Sequence, residues 1–175
     1  MPTESASPPE MKNIVVVDDH PLLRAGWASL IGRELDLNIC GSVGTVDRAL
    51  DIVDRTLTHL VITDLSLPDR SGFELIATLK ARHPEIPVLV VSMHDEMSYG
   101  ETVFQAGACG YLMKEAGAEL LVIAIREIFA GRLFASPALT QQMIKMASPH
   151  LLAARNGAVR REVFPVLPYN EDIEA

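Results

Sequence analysis

Five short apolar runs punctuate the chain, and each is followed by a stretch in which apolar residues recur every three or four positions. Ile14-Val15-Val16-Val17 and Leu60-Val61-Ile62 are continuously apolar, as strands buried on both faces of a parallel sheet must be. The other strands are expected near Leu37 to Val43, from Pro87 to Ser92 with proline at its tolerated first position, and from Gly110 to Met113. Between them the spacing changes to that of helices. His20-Pro21 opens the first, with Leu23, Trp27, Leu30 and Ile31 on its apolar face. Thr45 caps the second, whose apolar positions are Val46, Leu50 and Val53. The third runs from Gly72 to Arg82 on Phe73, Leu75, Ile76 and Leu79, the fourth covers about Met97 to Ala106, and the fifth Gly117 to Ala130. Strand and helix alternate five times, which predicts an α/β fold: a parallel sheet with helices on both faces.

Past Gly131 the alternation stops. Ser136-Pro137 reads as an N-cap followed by proline at N1, and Leu139, Met143, Ile144 and Met146 suggest a short sixth helix that Ser148-Pro149 ends. From His150 to Ala175 there are two prolines, a late acidic cluster and one weakly periodic stretch, Arg160 to Leu167, too little to fold alone. Met1 to Met11 is rich in proline and serine and is expected to be disordered. The expected organisation is therefore a tail over 1–11, a domain over 12–131, a linker helix over 132–147 and a C-terminal tail over 148–175.

Composition narrows the classes. A chain of 175 residues holds one ordinary domain with an appendage. Apolar residues make up 49% and aromatic ones 5%, which fits an aliphatic core, and a net charge of −8 argues against a generic nucleic-acid surface. The longest apolar run, Leu120 to Ile125, is far short of the roughly 20 residues of a membrane span. The N-terminus has neither the basic start nor the apolar stretch of a signal peptide, so a cytoplasmic protein without membrane contact is expected. Cys40 and Cys109 have no metal-type spacing and read as buried thiols on opposite halves of the sheet.

Chemistry is written at the strand ends. One run stops at Asp18-Asp19 and another at Asp64, and strands placed side by side would gather three carboxylates at the edge where open α/β sheets bind ligands. Such a cluster needs a hard divalent cation, and Mg²⁺ suits oxygen ligands. A Mg²⁺ and phosphate site centred on Asp64 follows. Taken singly the residues stay ambiguous: Asp18 and Asp19 can cap the first helix, and Asp64 can be a turn residue before Pro68. Lys114 can be a solvated charge, Ser92 a satisfied strand-end hydroxyl and Tyr111 a core aromatic. No histidine or cysteine spacing suits zinc, and His20 and His94 read as loop residues that shape the site.

Taken together, Val-Val-Asp18-Asp19-His20-Pro21-Leu-Leu-Arg-Ala-Gly, Thr63-Asp64-Leu-Ser-Leu-Pro68, Val-Ser92-Met-His94-Asp95 and Ala-Gly107-Ala-Cys-Gly110-Tyr111-Leu-Met-Lys114 resemble the receiver domain of two-component response regulators. The variants are similar to the NarL/FixJ subfamily, which carries a LuxR-type helix-turn-helix, and the resemblance spans about Lys12 to Ala147. It implies a flavodoxin-like, doubly wound sheet in the order 2-1-3-4-5. Asp64 then matches the phosphoacceptor. Asp18 and Asp19 match the acidic pair that holds Mg²⁺ with Asp64, and Ser66 supplies a backbone carbonyl. Lys114 and Ser92 match the phosphoryl-binding lysine and hydroxyl, and Tyr111 the aromatic that switches with them. The implied partner is a sensor histidine kinase, and the implied role is transcription regulation through an output domain rather than enzymatic turnover.

Leu67 and Ser71 depart mildly from the family turn. The DNA-binding domain of this subfamily needs about four helices, and the chain stops where its first would begin, so DNA is expected only through an output domain not complete in this chain. A stand-alone receiver acting as phosphate sink or protein-interaction partner is the alternative. A Mg²⁺-dependent phosphohydrolase would want a second acid two residues after its nucleophile, where Ser66 stands. Finally, Leu120 to Ile125 circles the fifth helix, although a helix on a sheet needs an apolar stripe of about 100°. The surplus side chains Leu120, Val122 and Ile123 either lie under the helix near Leu139 to Met146 or meet a second copy, and a homodimer strengthened by phosphorylation is the favoured expectation.

Overall fold

A computed structural model describes residues 10–153. In chain order the elements are β1 (Lys12–Val17), α1 (Pro21–Ile31), β2 (Leu37–Val43), α2 (Val46–Arg55), β3 (Leu60–Thr63), α3 (Gly72–Arg82), β4 (Val88–Ser92), α4 (Glu96–Gln105), β5 (Gly110–Met113), α5 (Ala118–Phe129) and α6 (Pro137–Ala153). A single 3₁₀ turn, Lys114–Ala116, joins β5 to α5. The five strands are parallel in the order β2-β1-β3-β4-β5, the doubly wound arrangement expected.

Strand residues divide strictly by parity. Val15, Val17, Val61, Val88 and Val90 pack with α2, α3 and α4, whereas Ile14, Val16, Leu60, Ile62, Leu89 and Val91 pack with α1 and α5. Both sides being covered, every apolar position of the central strands is buried, which is why the sequence shows continuous runs rather than alternation. On α1, Trp27 and Ile31 are buried while Leu23 and Leu30 are half-buried, and on α3 Phe73 stays half-buried beside Leu75, Ile76 and Leu79. Cys40 in β2 and Cys109 before β5 are free and half-buried, on opposite margins of the sheet.

Several ends differ from the sequence-based expectation. His20, not an aspartate, is the N-cap of α1, and it makes no side-chain capping bond; its imidazole lies against the Asp18 and Asp19 carboxylates instead. Asp95 accepts from the Ser98 amide at 2.9 Å and starts α4 at Glu96, one residue early. The sixth helix does not stop at Ser148-Pro149 but continues to Ala153. Proline's φ of about −65° is compatible with a helix, and its penalty of about 3 kcal/mol for the lost donor and the ring's clash with the carbonyl four residues back does not end this one.

After α5 the chain does not fold back beneath that helix. Phe134 donates its amide to the Cys109 carbonyl at 3.0 Å and accepts from the Tyr111 amide at 2.9 Å, running parallel beside β5. The segment thereby crosses to the other face of the sheet, where α6 packs on α4 and buries Leu139 completely. Intramolecular cover of α5 by Leu139 to Met146 is thus excluded. Leu120 and Val122 are half-buried, and Ile123 is 40% exposed. Among the described residues no helix is long and apolar enough to cross a membrane. The expected N-terminal tail up to Pro9, and everything after Ala153 including Arg160 to Leu167, lie outside the described residues.

Candidate functional site

The register of the central strands builds the site. Val17 pairs with Thr63 at the ends of β1 and β3, and the Asp64 amide donates to the Val17 carbonyl at 3.0 Å. Asp18 and Asp64 therefore emerge side by side at the carboxyl edge, both buried, with Asp19 beside them and exposed. Behind Asp64, Gly72 lets the start of α3 close on the strand end: its amide donates to the Leu65 carbonyl at 2.9 Å, and a Cβ there would run into the Asp64 carbonyl oxygen. Asp69 fixes the far side of the same loop by accepting from the Val46 and Asp47 amides at 3.0 and 3.1 Å.

Each oxygen of the Asp64 carboxylate is engaged. Oδ1 accepts from the Leu65 amide at 2.6 Å and from the Ser92 hydroxyl at 2.8 Å. Oδ2 accepts from Lys114 Nζ at 2.7 Å, and the same ammonium lies 2.5 Å from Asp18 Oδ2 as an ion pair without hydrogen-bond alignment. The lysine side chain is only 5% exposed. Burial pushes its pKa down, yet the contacts with Asp18 and Asp64 outweigh that and hold it above the ordinary lysine value. Asp18 Oδ1 accepts from the His20 amide at 2.8 Å, and His20 Nδ1 stands 3.1 Å from it and 2.8 Å from Asp19 Oδ1.

Three carboxylates against one ammonium leave the pocket negative. Ligand atoms of Asp18, Asp19, His20 and Asp64 all lie within 4.8 Å of one another, and Asp18 Oδ2 is a buried oxygen without a hydrogen bond. This donor set fits a hard dication, whose preference for oxygen favours the aspartates over the imidazole.

The remaining expected residues lie on the β4 and β5 side. Ser92 ends β4 and is fully buried. Tyr111 is 1% exposed; its hydroxyl donates to the His94 carbonyl at 2.7 Å, and burial pushes the phenol far above its usual pKa. Ser66 is exposed in the turn after Asp64, where its hydroxyl, rather than its backbone, makes the contact seen: a 2.7 Å bond to His94 Nε2. The structure thus brings Asp18, Asp19, Asp64, Ser92 and Lys114 together, with Ser66 and Tyr111 in the flanking layer. His20 and His94 shape the site from its loops, as the sequence suggested, with His20 against Asp18 and Asp19 and His94 against Ser66 and Tyr111; the part taken by Asp69 was missed. Asp69 acts across the fold, on amides 22 and 23 residues before it, and no local pattern signals that.

The fold and this acidic, lysine-bearing strand edge define an α/β protein of the doubly wound class. Comparison with known proteins gives the family: the response regulator receiver domain matches residues 14–126, and the chain belongs to that family. It is 32% identical to the transcriptional regulatory protein DegU of Brevibacillus brevis over 132 residues, 75% of this chain and 56% of that protein. It is 34% identical to the response regulator GacA of Pseudomonas aeruginosa over 133 residues, 76% of this chain and 62% of the relative. The chain therefore spans little more than half the length of these relatives. Among solved structures, a LuxR-family two-component response regulator from Aurantimonas sp. superposes with a TM-score of 0.73 at 29% identity, covering 79% of this chain and 99% of the other.

Proposed function

We propose that this receiver accepts a phosphoryl group on Asp64 from a sensor histidine kinase and relays the change to a transcription-regulating output domain, working in the cytoplasm. The observation that carries the reading is the Asp64 carboxylate itself. It is buried, oriented by the Leu65 amide and the Ser92 hydroxyl on one oxygen, and paired with Lys114 on the other. In the transfer, a carboxylate oxygen of Asp64 forms a bond to phosphorus as the P–N bond of a phosphohistidine breaks, leaving an acyl phosphate and an imidazole that takes up a proton.

Asp18, Asp19, Asp64 and the Ser66 carbonyl would hold Mg²⁺, which when bound neutralises charge on the phosphoryl oxygens. The chain's own residues do the rest. Lys114 moves its contact from Asp64 Oδ2 to a phosphoryl oxygen, and Ser92 gives the incoming group a hydrogen bond. Tyr111, bonded to the loop that follows Ser92, packs according to where that loop sits. The phosphoryl group biases this pair only through its differential affinity for their two arrangements. We read the chain as a receiver and not a hydrolase, because Ser66, two residues past Asp64, presents a hydroxyl bonded to His94 and no general acid. Exposed Ile123 on α5 and Leu22 on α1 suit a homodimer strengthened by phosphorylation, with DNA reached through the output domain.

The test is incubation with acetyl phosphate or phosphoramidate, followed by mass measurement. One phosphoryl mass is expected on the wild type and none on Asp64→Asn or in EDTA. Label persisting on the asparagine variant would sink the assignment.

A further inference from the structure

The sixth helix is held on α4 by a socket and two polar ties. Leu139 is completely buried against Gly100: a Cβ at residue 100 would lie 2.5 Å from Leu139 Cδ2 and 2.6 Å from Cδ1. The socket exists because residue 100 has no side chain. Glycine inside a helix costs stability relative to alanine, so α4 keeps this socket against its own helix propensity. Ser136 donates its hydroxyl to the Glu96 carboxylate while capping the Leu139 amide at 3.1 Å, and Gln142 Nε2 donates to the Met97 carbonyl at 3.2 Å. Both ties reach the first turn of α4, the turn that follows Ser92 and His94.

Tyr111 joins this helix to the site from two ends. Its hydroxyl donates to the His94 carbonyl at 2.7 Å, in the loop that opens α4. Its amide donates to the Phe134 carbonyl at 2.9 Å, in the segment that leads into α6. Ser92, one residue from that loop, donates to Asp64 Oδ1. These bonds join the Ser92–His94 loop, the first turn of α4 and, one turn further on, the Leu139 socket at Gly100.

We propose that α6 is a latch whose docking on α4 and the occupation of Asp64 by a phosphoryl group favour each other, so that the site sets the position of whatever follows α6. Docked α6, buried Tyr111 and Ser92 bonded to Asp64 occur together, and this is the arrangement in which Ser92 can meet a phosphoryl oxygen. The inference rests on Asp64 being the phosphoacceptor. Coupling of this kind is reciprocal: whatever factor docking adds to affinity at Asp64, occupation of Asp64 must add to docking.

The experiment uses the full chain with beryllofluoride and Mg²⁺ as the phosphoryl mimic, read by amide hydrogen exchange and by titration. In the wild type, beryllofluoride should slow exchange of the α6 amides over 140–146 by about fivefold or more, the low end of measured couplings. Leu139→Ala, which empties the socket, and Gly100→Ala, which fills it, should each weaken beryllofluoride binding by about the same factor. Exchange in β1 and β3 serves as the folding control, and the wild-type measurement stands even if a variant does not fold. Protection of the turn over 65–71 with unchanged α6 exchange would overturn the latch and leave the Asp64 reading intact. Absence of any response at the turn over 65–71 would overturn both.

Discussion

Replacing Lys114 with methionine isolates the electrostatics of the site, because methionine keeps most of the stem and removes the ammonium. That ammonium lies 2.5 Å from Asp18 and 2.7 Å from Asp64, whose side chains are 0% and 5% exposed. Stripping one partner from a buried ion pair costs about 3–5 kcal/mol, since the remaining charge is left uncompensated. The His20 amide still bonds Asp18, and the Leu65 amide and Ser92 still bond Asp64, so the low end, about 3 kcal/mol, is expected. Against a total stability of roughly 5–15 kcal/mol this is a large fraction, and it corresponds to a fall in melting temperature of roughly 6–12 °C.

Urea unfolding in EDTA measures it, with an unchanged m-value as the control for two-state behaviour. Adding Asp18→Asn removes one of the stranded charges, so the double variant should regain about 1 kcal/mol relative to additivity. The sign with pH also follows. Lys114 titrates above 10.5 in the fold, so its contribution is complete below that pH and lost as pH rises through the folded value. Wild type and Lys114→Met should therefore converge in strong alkali. A variant as stable as wild type at pH 7, or one whose deficit persists unchanged in alkali, would refute the reasoning.

Three further outcomes are expected. Mg²⁺ should raise the melting temperature of the wild type, by about 1.4 kcal/mol of stability at ten times its dissociation constant, while Asp19→Ala loses most of that response and gains metal-free stability; calorimetry decides. Burial works against ionised Asp69, but the Val46 and Asp47 amides hold its carboxyl below the ordinary 3.8, so its help to α2 is present above that pH and fades below it. Asp69→Ala should cost about 1 kcal/mol at pH 7 and progressively less as pH falls below 3.8, measured by urea titration across that range. Sedimentation of wild type and Val122→Glu/Ile123→Lys, with and without beryllofluoride, tests the homodimer; wild type monomeric at high concentration in both states rules it out.

The strands and the acids at their ends were legible because burial on both faces keeps the strand interiors apolar and leaves polar residues to the strand ends. Ile14 to Val17 and Leu60 to Ile62 are such runs; Asp18 follows the first directly, and Asp64 follows the second after the buried Thr63. What stayed hidden was pairing at a distance. The periodicity of Leu139 to Met146 announces an apolar face but not its partner, and Gly100, which selects α4, reads in one dimension as a weak point of a helix. The Ser66–His94 bond spans 28 residues, and neither side chain has a local pattern that names the other. Pro149 misled for a different reason: an interior proline costs about 3 kcal/mol through a lost donor and a ring–carbonyl clash, which is a penalty and not a stop signal.

An open sheet carries at each lateral margin a row of backbone groups that a second chain can pair with. Here one margin is already occupied, because Phe134 takes the Cys109 carbonyl and the Tyr111 amide. A fragment ending at Gly131, where the helical pattern stops, would retain Asp18, Asp64, Ser92 and Lys114 yet bare the β5 margin. Such a fragment should aggregate by strand addition, whereas one ending after Ala135 should stay dispersed. Among the described residues the other lateral margin is β2, whose Asn38 and Ser42 are polar and exposed.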